Sequence, residues 1–526
     1  MGMRTTGTGG KASGERFFKD FAKSSGKDSS KNKSSKKNGG KGGGERSGQG
    51  AERQPAAGAG PRRERAPERV ARERPADRVA RERPPERVAR ERPADRVTIE
   101  RKPPRRDEPR PVRATPKASG NPTPPRVPRQ RRAFSTVGGP VETAGDVAEA
   151  AALARLWDVD PGLARALTHG FHAYAGRLHP SIARGALTRW SAAGDTIVDP
   201  FCGSGTVLTE AMGLGRVAIG NDASPLGVAI AQARTTLLGE AHRELLVSEA
   251  RRIAELAGEE ARKRRRPELP SWAGPEFQRF FPHVAFELFT LRELVMEVPR
   301  QPIGNALRLC FSANLVKLMK AGPEAPRDGE EKRIARGVPS RLLGDRAVEL
   351  ATGLAALERR TPPGTPAPVV RVGDARELKG IAAGSTRLIV SSPPYPGTYD
   401  YAAQHDVRFT WLELPRRSFE SAQLGARTAT TGLGADPATW RASQRQWLGE
   451  MARILMPGGH ALLIVGDGVL GNMPEDAPAT IAEQAAPLGL EPVARASQAR
   501  ATHDRRLREI FQGHPRQEHL LLLRRA

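Results

Sequence analysis

Between Ile197 and Asp222 the chain reads as a strand, a glycine turn, a helix and a second strand, and that order restricts its fold more than any other stretch. Ile197-Val198 is a short apolar run that stops at Asp199-Pro200. Gly203, Ser204 and Gly205 make a turn, a helix is expected from about Thr206 to Gly213, and Val217-Ala218-Ile219-Gly220 is the next apolar run, ending at Asp222. Short runs without polar alternation suit strands buried on both faces, and a helix joining two of them is a parallel crossover. Three further runs end the same way. Val369–Val372 leads to Gly373-Asp374, Leu388-Ile389-Val390 to Ser391-Ser392-Pro393-Pro394-Tyr395, and residues 460–465 to Gly466-Asp467. The expected fold is α/β, a doubly wound, mostly parallel, Rossmann-like sheet of about seven strands with helices on both faces. Such a sheet binds ligands at the carboxyl ends of its strands, so these turns belong to one crevice.

The rest of the chain divides unevenly. Residues 1–138 hold 37 Lys and Arg against 16 Asp and Glu, and so carry most of the formal net charge of +26. Residues 11–50 are rich in Lys, Gly and Ser. From Ala66 to Val97 a nine-residue unit recurs, as in Pro75-Ala76-Asp77-Arg78-Val79 and Pro84-Pro85-Glu86-Arg87-Val88. One valine per unit cannot offset chain entropy, so residues 1–138 are expected to be a disordered basic arm. Its excess positive charge suits a polyanion held by counterion release, or a solvated spacer. Ordered patterning starts near Val141 with a helical pattern through Val147, Ala151, Leu153 and Trp157, and one folded domain is expected over 139–524. Within it, 236–365 reads as a helical insert, with apolar positions at Leu246, Ala250, Ile253 and Ala257 and again at Val284, Leu288, Leu291 and Val295. The cationic run from Arg262 to Arg266 is a candidate phosphate contact. Cys202 and Cys310 are the two cysteines. They cannot make a disulfide framework or a four-cysteine metal site, so a cytoplasmic protein without a metal is expected. No apolar run approaches the length of a membrane span.

Two segments carry chemistry. In Asp199-Pro200-Phe201-Cys202-Gly203-Ser204-Gly205-Thr206, small residues let the backbone approach a ligand and the helix start offers free N–H groups. An acid about 20 residues on, Asp222, can accept from ribose hydroxyls. Position 208 is leucine, which breaks the dinucleotide pattern Gly-x-Gly-x-x-Gly and points to a nucleoside cofactor without a pyrophosphate. In Ser392-Pro393-Pro394-Tyr395 the prolines fix the backbone and leave carbonyls free to accept. A serine oxygen and such a carbonyl, both accepting from an aromatic amine, favour the pyramidal nitrogen that can attack a methyl group. The tyrosine ring can stack on a base drawn out of its helix.

Together these segments resemble the S-adenosylmethionine-dependent amino methyltransferases of DNA, the N4-cytosine/N6-adenine family, and the serine form is most similar to the cytosine-N4 branch. The resemblance covers roughly residues 170–524. It implies that Asp199, Phe201, Gly203 and Gly205 cradle the methionine part of S-adenosyl-L-methionine and that Asp222 holds the ribose. Asp374 would contact the adenine, and Ser392, Pro393, Pro394 and Tyr395 would hold the target amine. His179-Pro180 resembles a segment that closes over the cofactor. The implied partner is nucleic acid, DNA above RNA, and the insert is a candidate target-recognition element. The same motif order also occurs in DNA adenine-N6 and transfer-RNA guanine-N2 enzymes. A non-catalytic nucleic-acid binder on the same fold is the reading of another class.

Overall fold

The computed structural model describes residues 139–526, except 264–266, 322–332, 427–429, 432–435, 501–504 and 513–514. The basic arm and its repeats, and Arg264 to Arg266 of the cationic run, lie outside the described residues.

The strands are β1 (Val141–Gly145), β2 (Thr196–Asp199), β3 (Val217–Asp222), β4 (Val369–Val372), β5 (Thr386–Ser391), β6 (Leu455–Gly466), β7 (Gly468–Leu470), β8 (Met473–Glu475), β9 (Leu490–Ala499) and β10 (Gln517–Arg525). Eight form one sheet in the order β1-β9-β10-β6-β5-β2-β3-β4, and β7 pairs with β8 apart from it. From β6 to β4 every pairing is parallel, while β10 runs antiparallel to β6 and β9, and β1 antiparallel to β9. The mostly parallel α/β expectation is met, with eight strands where about seven were expected. The helix expected at the entry spans Val147–Leu156, but the first described element is the short strand β1 that precedes it. Four of the five β1 residues are exposed, so no apolar pattern marks that strand.

Both faces of the sheet are buried, and the apolar runs show why. Ile197, Val390, Leu462, Ile464, Leu520 and Leu522 pack on one side with the helix Pro180–Trp190 and the helix Thr206–Gly213. Their chain neighbours Val198, Ile389, Leu463, Val465, Leu521 and Leu523 pack on the other, with Trp447 and Met451 of the helix Pro437–Ile454. Successive strand residues point to opposite faces, so only a continuous apolar run satisfies both layers. The insert forms a helical layer of its own from Glu240–Arg262, Pro282–Glu297, Pro302–Leu318 and Val338–Arg360. The periodic residues read from sequence, Leu246 to Val295, are buried in it around Trp411. No described helix is long and apolar enough to cross a membrane.

One topological detail positions the site. β2 and β5 are adjacent, with Ile197 opposite Leu388 and Val198 opposite Ile389. From that pair the sheet grows toward β3 and β4 on one side and toward β6 on the other. This is the point where strand order reverses, and crevices open there at the carboxyl ends of an α/β sheet. The glycine turn leaves β2, and Ser392 leaves β5.

Candidate active site

The glycine turn is held by carboxylates on either side of it. Asp199 ends β2, and its Oδ1 accepts from the Ser391 hydroxyl at 2.6 Å and from the Phe201 amide at 3.2 Å. Asp222 ends β3, and its two oxygens accept from the Gly203 and Ser224 amides, each at 2.7 Å. Burial raises both acids despite these bonds, Asp199 to about 7 and Asp222 to about 6. Gly203 and Gly205 take φ of +46° and +79°, the left-handed region that only glycine enters at no cost. A Cβ on Gly205 would lie 2.7 Å from Ala231 Cβ. Gly205 is therefore a packing glycine that lets the helix Thr206–Gly213 start against the helix Pro225–Thr235.

Behind the turn is a buried polar network. Arg234 donates to the Ser204 carbonyl at 2.6 Å and the Ser204 hydroxyl at 3.1 Å, and to His169 Nδ1. Because Nδ1 accepts, the ring proton sits on Nε2, which donates to Glu210 Oε1 at 2.8 Å. Glu210 also receives Arg184 at 2.8 Å and Arg360 at 3.2 Å. Burial lowers His169 to about 3, so it is neutral, and lowers Arg234 to about 9, so it stays charged at neutral pH. Glu210 is lowered to about 2, because hydrogen bonds from His169 and Arg184 outweigh the burial that opposes them. A carbonyl of the turn is thus fixed by a buried guanidinium.

A cleft opens above the turn, and Asp199, Phe201, Gly203, Asp222, Asp374, Ser392 and Pro394 all line it. The residues read from two separate motifs therefore meet at one surface. Three candidates do not line this cleft. Gly205 is packed beneath it. Pro393 faces a small cavity on the far side, near Trp440 and Trp447. Tyr395 borders a second cavity of about 300 Å³, which shares Gly176, Arg177, Leu178, Ser392 and Tyr401 with the cleft. Its ring is 6% exposed and its hydroxyl donates to Glu518 Oε1 at 3.0 Å, so it is not the open stacking ring expected from sequence. Asp374 lies in the cleft paired with Arg376 at 2.6 Å. Burial would raise this acid, but the Arg376 hydrogen bonds prevail and hold it below its ordinary value.

Sequence reading missed several neighbours. Tyr174 lines the cleft, stacks on His405 at 4.7 Å between ring centroids, and lies 3.1 Å from where a Gly203 Cβ would be. Tyr401 lines both cavities and stacks on Tyr174 at 6.5 Å. These rings come from segments on either side of the motifs, and no local pattern marks them. His405 and Asp406 stand one layer back from the cleft. His405 is buried behind Tyr174 and accepts from Arg408, and Asp406 pairs with Arg279 and Arg416. His179 caps the helix Pro180–Trp190, its Nδ1 accepting from the Ser181 amide at 3.2 Å.

Residues 172–233 match the family model described as DNA methylase. The type II methyltransferase M.MjaII of Methanocaldococcus jannaschii is 42% identical over 66 residues, 12% of this chain and 12% of that relative's length. Among solved structures, a DNA modification methylase from Thermus thermophilus is 21% identical over 29% of this chain and 51% of its own, with a TM-score of 0.18. TrmN from the same organism is 14% identical over 66% of this chain and 49% of its own, with a TM-score of 0.24. The structural likenesses are too distant to bear on the reaction. The matched segment holds Tyr174, the glycine turn and Asp222, and over those residues the chain is similar to DNA methylases.

Proposed function

We propose that this protein transfers a methyl group from S-adenosyl-L-methionine to an exocyclic amino group of a nucleic-acid base, cytosine N4 of DNA above the alternatives. The observation that carries the reading is Ser392, which lines both the cleft and the smaller cavity beside it. The cofactor supplies a methyl already activated on its sulfonium sulfur, so the protein has only to bind, orient and exclude water. The cleft suits that nucleoside: the carboxyl groups of Asp199, Asp222 and Asp374 converge on it among apolar side chains. Asp199, Phe201 and Gly203 would face the methionine part, Asp222 the ribose hydroxyls and Asp374 the adenine. Ser392 and a backbone carbonyl of the prolines would accept from the target amine, holding its lone pair toward the methyl. Pro393 and Tyr395 would fix that loop from behind. The serine in place of Asp or Asn favours cytosine. The helical insert is the proposed target-recognition element and the basic arm a salt-sensitive phosphate contact.

The test is transfer of labelled methyl to unmethylated DNA, transfer RNA and ribosomal RNA in parallel, followed by nucleoside mass analysis. N4-methylcytosine in DNA is expected. N6-methyladenine or N2-methylguanine in its place would overturn the base, label in RNA alone would overturn the polymer, and no label anywhere would leave the non-catalytic binder.

A further inference from the structure

Glu518 was not singled out by any motif, yet it is a buried carboxyl on the second cavity, 2% exposed, near the start of β10. Its Oε1 accepts the Tyr395 hydroxyl at 3.0 Å, and the Tyr395 oxygen lies 3.4 Å from Ser392 Oγ. The order of the bonds sets their direction. Tyr395 gives its proton to Glu518, so its oxygen is left to accept from Ser392, and the Ser392 lone pairs are left for a donor in the cleft. The link between Ser392 and Tyr395 is longer than an ordinary hydroxyl contact, and catalytic contacts commonly tighten once ligand is bound.

We propose that Glu518 is a positioning residue that acts on the target amine through Tyr395 and Ser392, orienting the serine as an acceptor and receiving the proton the amine gives up. This rests on the reading of Ser392 as the amine's partner. As the nitrogen bonds the methyl carbon, the carbon–sulfur pair returns to sulfur. The nitrogen's proton goes to Ser392 Oγ, the serine's to the Tyr395 oxygen, and the tyrosine's to Glu518 Oε1, from which it leaves through the cavity. Every bond made is matched by one broken, and no other reactant is needed.

The surroundings of Glu518 fit the role. Burial raises it to about 7, against Arg500, the Tyr395 hydrogen bond and Arg516, so it exchanges a proton near neutrality. Arg500 lies 3.3 Å from Oε2, and Arg177, Tyr399 and Tyr401 line the same cavity. Burial and then the Glu518 charge raise Tyr395 well above its ordinary value, which keeps it a donor between the two.

The experiment uses the full chain as wild type, Glu518→Gln, Tyr395→Phe and the double variant. It measures S-adenosylhomocysteine affinity, thermal midpoint and the single-turnover rate of methyl transfer to unmethylated plasmid DNA from pH 5.5 to 8.5. Each single variant should bind S-adenosylhomocysteine within about twofold of wild type while its rate falls at least about a hundredfold, the low end of acid–base contributions. The wild-type rate should rise with pH through about 7, and Glu518→Gln should remove that limb. Asp199 and Asp222 titrate nearby, so the difference between the two profiles is what counts. The double variant should be no slower than the slower single, because both break one chain. A Glu518→Gln rate equal to wild type, an unchanged limb, or losses that multiply would overturn the relay and leave the proposed function standing. Loss confined to the midpoint or to cofactor affinity would make the contact structural and overturn it too. A wild type that methylates neither DNA nor RNA removes the function and the relay together.

Discussion

Replacing Asp222 by Asn should weaken the cofactor more than it weakens the fold, and the structure says by how much. Each carboxylate oxygen holds one backbone amide, Gly203 on one side and Ser224 on the other. Asparagine keeps one acceptor and turns an NH₂ toward the other amide, so one of the two bonds is lost outright. The remaining bond and any ribose hydroxyl lose the charge that strengthens them, and a bond to a charged group is worth about 1.5–3 kcal/mol. If that loss falls on cofactor binding, the dissociation constant rises about 10- to 150-fold, at about 1.4 kcal/mol per decade. The fold is partly spared, because the variant no longer buries a charge. Asp222 is raised from 3.8 to about 6 in the folded state. The folded protein therefore holds this proton more tightly than the unfolded chain. The stability it contributes is fully present below about pH 3.8 and is lost as pH rises through about 6. Cofactor affinity has the opposite sign, because the ionised form accepts best: affinity should improve as pH rises through about 6. Calorimetric titration with S-adenosylhomocysteine from pH 5 to 8, on wild type and Asp222→Asn, measures both. Affinity of the variant within about twofold of wild type at pH 8 would refute the assignment. So would an identical pH dependence in the two proteins.

Three further outcomes follow from the same geometry. Arg234→Met should leave the Ser204 carbonyl and His169 without their buried donor. A loss of about 3–5 kcal/mol in denaturant unfolding is expected, as for a broken buried pair, together with weaker cofactor binding; a loss below about 1 kcal/mol would show the network to be slack. Gly205→Ala should cost about 1–3 kcal/mol from its positive φ alone, with the Ala231 contact adding to it, and should lower the thermal midpoint. Ser392→Ala should keep S-adenosylhomocysteine binding and lose on the order of a hundredfold in turnover, as when one transition-state partner is removed; equal losses in binding and turnover would contradict the division between Ser392 and Asp222.

What was legible in the sequence is what a short local pattern can encode. The strand, turn and helix from Ile197 to Gly213 are legible because burial on both faces demands unbroken apolar residues and the turn demands glycine. The helical insert is legible from its 3.6-residue period. β1 is not, because it joins the sheet edge with its side chains in solvent and leaves no apolar trace. Gly205 was legible as a glycine required by the backbone but not in its purpose, since its neighbour Ala231 lies on the next helix.

Tyr395 and Glu518 show the limit more sharply. The tetrapeptide marks its tyrosine as an aromatic ring beside a ligand, and an aromatic beside a ligand reads as a stacking surface. Whether the ring faces the ligand or the core depends on what lies behind the loop. Here that is β10, 123 residues away in sequence, which reaches the site because it runs antiparallel to β6. β10 places Glu518 opposite Gly466 in an otherwise leucine-rich strand, and a Cβ on Gly466 would lie 2.8 Å from the Tyr395 ring. A lone Glu in an apolar strand is costly to bury without partners. That cost is the one sequence signal that could have found it, and it needs the sheet order before it can be assigned a partner.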